Sequence, residues 1–370
     1  MNSKVSSTSS IKLLQTIGSP FEKQDKKIIY NNLYDLALKN KVSLIYLEAL
    51  KSKNKLDKNL ILFYKKELDN YNYFLKSIKR VSRLLNKNHI DYLIIKTIKP
   101  YKQVPGDIDL LIINDEDYKK AVEVLFREGY YSSVLEDEQS NVENLIEPTY
   151  GSKNGLGHIS PTGTDLVDNK YKISIDIQKE LALSHLVYLD KRNFKNIENV
   201  KIEDVETKLP SGELDLAIII AHSVAEQMYL IGEFYSCIYL IFKMNKQDLI
   251  RFLDIINENK LKRSAKTFLT ITADLYKNAF GELPSEIKFL LNNLGYDQRE
   301  TSRFLKNMVL PYKYSSLSLI KIFFEKIKES RFRKTLLLQF IKTLNPKLLR
   351  LVIKYLIEMR KRESYNKKID

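Results

Sequence analysis

A single cysteine, four histidines, nine prolines and 11 glycines are all that the 370 residues hold of those types, and tryptophan is missing altogether. One cysteine excludes a disulfide framework and a cysteine-built zinc site. Cys237 sits in the apolar stretch IGEFYSCIYLIF, where a reduced core thiol belongs. No run of about 18 uncharged apolar residues occurs, so hydropathy gives no spanning helix. The opening MNSKVSSTSS is polar and lacks the apolar segment of a secretory signal. Together these absences lead to the expectation of a soluble, cytoplasmic protein. Gly151, Gly155, Gly157 and Gly163 crowd one region, but no Gly-Lys-Ser or Gly-Lys-Thr follows them, so they form no phosphate loop.

What the chain has in excess is positive charge, +15 from 61 Lys and Arg against 46 Asp and Glu. Such an excess points to a polyanionic partner. Between Glu300 and Asp370, 18 basic residues stand against six acidic ones, so most of the surplus lies there. In that region the apolar blocks Leu317 to Phe324 and Leu336 to Ile341 alternate with Lys326, Arg331 and Arg333. Pro346 then opens the amphipathic KLLRLVIKYLIEMRKRES. Contact with a phosphate backbone, RNA above all, is the expectation for these residues. A solvated helical face, contact of this tail with a membrane surface and a partner-binding helix are the alternatives.

The length allows two or three compact units at roughly 100 to 200 residues each. Residues 1–20 read as a flexible N-terminus and 21–88 as a helical segment. Within the latter, Lys58 to Asn88 forms one long helix whose stripe includes Phe63, Phe74, Ile78, Val81 and Leu85. Residues 89–209 read as a core of mixed strands and helices, and 210–370 as a helical domain with the basic part at 300–370. Pro210-Ser211-Gly212 marks the boundary, with Ser211 a candidate helix cap.

Chemistry concentrates in HIDYLIIKTIKPYKQVPGDIDLLII, residues 89–113. Two apolar runs, Ile90 to Ile95 and Ile108 to Ile113, flank a turn-rich segment with Pro100, Pro105 and Gly106, which predicts two strands and a loop. Asp107 and Asp109 open the second strand, and residues two apart share a face about 6.6 Å from each other. Two acids so placed beside Ile and Leu repel each other unless a cation sits between them. A helix follows, DEDYKKAVEVLFREGYY, with Asp115 able to cap it and Gly129 able to stop it. Further on, YKISIDIQK alternates cleanly, leaving Ser174, Asp176 and Gln178 on the polar face of a strand.

Helix, strand ending in Lys96-Thr97, loop, and Asp107-Ile108-Asp109 on a second strand is an order that resembles the nucleotidyltransferases of the DNA polymerase β superfamily. More narrowly it resembles the family catalogued as uncharacterised nucleotidyltransferases, whose core reads as a strand ending in Lys-Gly, a loop and Asp-Ile-Asp-Leu-Leu. The resemblance implies an α+β fold: a nucleotidyltransferase core, a small mixed sheet with helices, between the N-terminal helical segment and a C-terminal all-helical domain. It implies a third carboxylate on a neighbouring strand, for which Asp176 is the best-placed residue. The narrower family reads Asp-Leu-His there and this chain reads Asp176-Ile177-Gln178. The implied activity is transfer of a nucleoside monophosphate from an NTP, ATP included, to a hydroxyl. An RNA end such as that of tRNA is the first choice of acceptor. A protein or small-molecule acceptor, and an inactive fold serving as a nucleic-acid-binding subunit, are the alternatives. Mg²⁺ or Mn²⁺ would sit on Asp107, Asp109 and Asp176, with Lys96, Thr97, Lys99 and Lys102 toward the phosphates. Where the superfamily usually has Gly-Ser, this chain has Lys96-Thr97. His222 and Glu226, four apart in a later helix, are candidates for contact with nucleotide or acceptor.

Overall fold

The computed structural model describes residues 7–22, 30, 32–131, 163–168, 173–179, 181–183, 186–191, 194, 197–225, 228–295, 310 and 312–313. The described chain is mixed α+β, and none of its helices is long and apolar enough to cross a membrane. Four helices come first: α1 (Ser7–Ile17), α2 (Tyr34–Lys39), α3 (Ser43–Ser52) and α4 (Lys58–Lys87). The 30 residues of α4 begin at Asp57, whose side chain accepts the Leu60 N–H at 2.9 Å, as an N-cap does. Its C-terminal half is the buried half, through Phe74, Ile78, Val81 and Leu85, which recur at helical spacing along one stripe.

That stripe packs on a five-stranded sheet in the order β1 (Tyr92–Ile95), β2 (Asp107–Ile112), β5 (Ser174–Gln178), β4 (Gly163–Asp168), β3 (Tyr130–Tyr131). Strands β1 and β2 pair antiparallel, β2 and β5 parallel, and β5 with β4 and β4 with β3 antiparallel. Helix α5 (Asp115–Arg127) follows β2 and covers the same face as α4, burying Tyr118, Ala121, Val122 and Leu125 against Ile108, Leu110, Ile112, Ile175 and Ile177. Asp115 is the first helical residue rather than the cap; Asn114 holds the cap position and makes no side-chain capping bond. Gly129 follows with φ +92°, a backbone conformation open to glycine and costly for most other residues, and it ends the helix as the sequence predicts.

Two hairpins follow, β6 (Leu181–Leu183) with β7 (Leu186–Leu189) and β8 (Ile197–Ile202) with β9 (Val205–Pro210). The second is pinned to α4 by Lys79 on Glu203 at 2.7 Å, by Asn86 donating to the Glu206 carbonyl at 2.7 Å and by Thr207 bonding Ser82 at 3.1 Å. Helices α6 (Gly212–Ala225), α7 (Ile231–Lys243), α8 (Lys246–Glu258), α9 (Lys262–Phe280) and α10 (Ser285–Asn293) complete the described chain, with two short paired strands, β10 (Met228–Tyr229) and β11 (Tyr312–Lys313).

The opposite face of the sheet, through Leu93, Ile95 and Leu111, enters a second and larger core with α6 to α10. The N-terminal helices join this core as well. Residues 1–20 read from the sequence as flexible, yet α1 lies within them and buries Leu13, Leu14 and Ile17 there. Asn40, fully buried, accepts the Ile231 N–H on its side chain and the Gly232 N–H on its carbonyl, tying α2 to the first turn of α7. The helical segment 21–88 is therefore divided between two cores, with α2 and α3 in the large one and the end of α4 in the small one.

Candidate active site

In β2 the even-numbered residues Ile108, Leu110 and Ile112 face α4 and α5, so Asp107, Asp109 and Leu111 face the other way. The parallel register sets Asp109 opposite Asp176, Asp107 opposite Ser174 and Leu111 opposite Gln178. Neighbouring strands lie about 4.8 Å apart, so the two acids are side by side on one face. Across the other edge of β5, Asp165 holds the register position opposite Asp176. The sequence predicts a shared face for Asp107 and Asp109; the pairing with Asp176 comes from the sheet order. The register position of Asp165 is not legible in the sequence, because the glycine-rich stretch before it carries no clean strand alternation.

Like charges this close need neutralising groups, and two are present. The Lys96 ammonium sits 2.9 Å from Asp109 Oδ1, with only 9% and 12% of the two side chains exposed. The Gln178 amide donates to Asp176 Oδ2 and, at 3.4 Å, to Asp109 Oδ1. Its own Oε1 is buried and has no hydrogen-bond partner. Lys96 adopts φ +55° at the end of β1. That left-handed conformation favours glycine, so a lysine here holds the turn at a cost of order 1 kcal/mol. Thr97 is buried and its Oγ1 accepts the Asp109 N–H at 2.9 Å, which fixes the start of β2 against the turn.

Lys99 and Lys102 part company after that turn. Tyr101 between them is buried, its hydroxyl 2.8 Å from the Gly232 carbonyl of α7. Lys102 lies at the surface on Glu48 Oε1, 2.6 Å away, and takes no part in the cluster. Lys99 turns inward. Burial lowers its ammonium from the usual value, while the carboxylates of Asp215 and Glu233 pull it back up. Asp215, in the first turn of α6, is pushed up to about 6 by burial, against the opposing pull of Lys99 and of the Lys96 backbone N–H. Its Oδ1 is buried without a hydrogen-bond partner. Glu233, whose Oε2 accepts the Leu230 N–H at 2.8 Å, is raised by burial in the same way. Neither acid stands out in the sequence; the available signal is two carboxylates, Glu213 and Asp215, in the otherwise apolar GELDLAIIIAHSVA and one, Glu233, in IGEFYSCIYLIFK.

His222 lies two turns beyond Asp215 on α6. Ser211 does not cap α6 with its side chain, since its Oγ is buried without a hydrogen-bond partner. Cys237 is fully buried and its thiol is pushed up to about 12 by burial, an inert core group as the sequence predicts. Glu226, Lys326, Arg331, Arg333 and the rest of the basic tail lie outside the described residues.

The oxygen-only donor set of Asp109, Asp176 and Asp107 suits Mg²⁺ or Mn²⁺. Among the described residues no group of three or more His, Cys, Asp or Glu side chains is placed to hold a metal ion by itself. Mg²⁺ is ordinarily held by one or two carboxylates plus phosphate oxygens and water, so the adjacent Asp109 and Asp176 fit an ion that arrives with a nucleotide. The unsatisfied Gln178 Oε1 beside them fits a polar rather than an apolar occupant. No family model, no curated protein and no solved structure matches the chain.

Proposed function

We propose that the chain is a metal-dependent nucleotidyltransferase, built on a nucleotidyltransferase core, that moves a nucleoside monophosphate from an NTP to a hydroxyl and releases pyrophosphate. The observation that carries this reading is the register of Asp109 opposite Asp176 on parallel neighbouring strands, with Asp107 on the same face. Mg²⁺ or Mn²⁺ held by these acids would neutralise the triphosphate and lower the pKa of the attacking hydroxyl. Lys96, already drawn to Asp109, is the residue nearest to where phosphate charge would gather. Gln178 keeps the two carboxylates apart and oriented through its amide. Lys99, held toward Asp215 and Glu233, supports the turn behind Lys96 rather than touching phosphate. In the reaction the acceptor oxygen bonds to the α-phosphorus in line with the breaking bond to the β-phosphate. Pyrophosphate leaves and the hydroxyl proton passes to a carboxylate or to water. Positioning and charge neutralisation supply most of the rate in transfers of this kind.

The acceptor we favour is an RNA end, on the strength of the 18 basic residues between positions 300 and 370. Incubation with each α-labelled NTP, Mg²⁺ or Mn²⁺, and either total RNA or a nucleic-acid-free lysate tests both parts. Label entering RNA with one preferred base supports the reading. Label entering protein or a small molecule keeps the chemistry and changes the acceptor. No label in any fraction with either metal removes the activity.

A further inference from the structure

Large apolar side chains rarely gather on a surface without a partner to cover them. Among the described residues five are exposed, and four of these lie together: Leu38 (51%), Ile61 (38%), Leu62 (64%) and Phe63 (42%). Leu38 is one turn from Tyr34 on α2, and the Tyr34 ring stacks on Phe63 with centroids 4.7 Å apart and planes 2° from parallel. The other three are consecutive in the first turns of α4, ahead of the half that the small core buries.

The charge around Leu62 is mostly positive, with the acids Asp35 and Glu67 one turn from Leu38 and Phe63, and Glu67 engaged by the Tyr34 hydroxyl at 3.2 Å. Between Lys51 and Lys66 the chain carries six lysines, all exposed, and a single acid, Asp57, whose carboxylate is engaged as the cap of α4. Helical spacing places Lys58, Lys65 and Lys66 at i−4, i+3 and i+4 of Leu62, so the most exposed leucine is ringed by ammonium groups. No arginine occurs in this stretch. Nucleic-acid readers and phosphopeptide sites draw on the flat, bidentate guanidinium, whereas lysine offers a point charge on a long aliphatic stem that lies along apolar surroundings. Projecting leucine, isoleucine and phenylalanine have nothing to fill on a phosphate backbone. An interface of acyl chains beneath anionic headgroups satisfies both halves of the patch at once.

We propose that the exposed first turns of α4, with the adjoining end of α2, form a docking surface for an anionic lipid bilayer, Leu62 entering the headgroup boundary and Lys58, Lys65 and Lys66 meeting the lipid phosphates. The surface shares no residue with the carboxylate site. It would hold the protein to the bilayer reversibly, because each lysine adds about fivefold in affinity near an anionic surface and one leucine about tenfold.

The test is co-sedimentation of the full chain with vesicles of pure phosphatidylcholine and with vesicles of phosphatidylcholine and phosphatidylglycerol in equal parts. Two variants accompany it, Leu62→Gln and the triple Lys58→Glu, Lys65→Glu, Lys66→Glu, both at exposed positions and both checked for native circular dichroism. The proposal expects binding to the anionic vesicles alone. It expects a loss of about tenfold in Leu62→Gln and of about a hundredfold or more in the triple variant, with binding that weakens as salt rises. Absence of binding to anionic vesicles overturns it. So does vesicle binding that survives both variants, which would belong to another part of the chain. RNA binding lost in the triple variant but kept in Leu62→Gln, without vesicle binding, would make this a nucleic-acid face. A concentration-dependent dimer lost in Leu62→Gln, again without vesicle binding, would make it an interface between copies.

Discussion

Asp109→Asn is expected to lower nucleotidyl transfer at least a thousandfold, a loss of about 4 kcal/mol of transition-state stabilisation. Asp109 is the acid that meets every other member of the site: Lys96 on one oxygen, the Gln178 amide on the same oxygen, and Asp176 across the strand pair. An amide in its place keeps the shape and loses the charge that a divalent ion and a triphosphate require. The substitution also weakens the hold on the Lys96 ammonium in a site where both side chains are largely buried, at a cost of about 3 kcal/mol of stability. Loss of activity and loss of fold would then coincide, so the informative companion is the double variant Lys96→Met, Asp109→Asn. It should recover most of the stability, read as a urea midpoint, and none of the turnover. Turnover within tenfold of the wild type in Asp109→Asn at saturating metal would show that the acids have a structural purpose only. Asp176→Asn should lose turnover to a similar degree while keeping NTP affinity, since an acceptor-activating role is felt in the transition state.

Replacing Lys99 with methionine should destabilise the fold by about 1–2 kcal/mol above neutral pH, and by progressively less toward pH 5. The ammonium of Lys99 is the cation that pulls down both Asp215 and Glu233, two carboxyl groups already raised by burial. Without it both rise further. A carboxyl whose folded value exceeds its unfolded value binds protons more readily in the folded chain, so stability increases as pH falls. For Asp215 the wild-type window runs from the ordinary 3.8 up to about 6, and the variant extends it upward. Urea unfolding of wild type and Lys99→Met at pH 8 and pH 5 measures this directly. A deficit of equal size at both values would attribute the loss to packing of the side chain and not to its charge.

The strands and the carboxylate face were legible because their signal is local. Alternation over Ile173, Ile175 and Ile177 and the Asp107–Asp109 spacing each depend on a few neighbouring residues. What no local pattern carries is which strand lies next to which. Only the parallel alignment of β2 with β5 sets Asp176 beside Asp109. The lysines of the β1–β2 loop show the same limit. Lys99 and Lys102 read alike in sequence, and burial of the intervening Tyr101 against α7 sends one inward and leaves the other at the surface. Helix α1 escaped notice because STSSIKLLQTI is short and half polar; its stability comes from the core that receives Leu13, Leu14 and Ile17 and not from its own propensity. Asp215 and Glu233 escape for the converse reason, since a carboxylate near the start of an apolar helix looks like a solvent-facing residue until the tertiary fold buries it.

The pairing of β2 with β5 also bears on the order in which the protein acquires its properties. Strand β1, strand β2 and helix α5 are neighbours in sequence and can associate while the chain is still short. Asp109 and Asp176 are 67 positions apart and meet only when a parallel pair closes over that span. Long-range closures of this kind carry an entropic cost that must be met before their contacts form, which makes parallel pairings slow steps in folding. A ribosome-bound or partly refolded chain that has only β1, β2 and α5 in place thus holds two of the acids, with their repulsion answered by Lys96, and no third. Refolding followed by activity and by amide-exchange protection should show Ile94 and Leu110 protected before turnover returns, with turnover appearing together with protection of Ile175 and Ile177. The capacity for chemistry would then be acquired in one late event, and a chain arrested before it would carry the residues of a catalyst without being one.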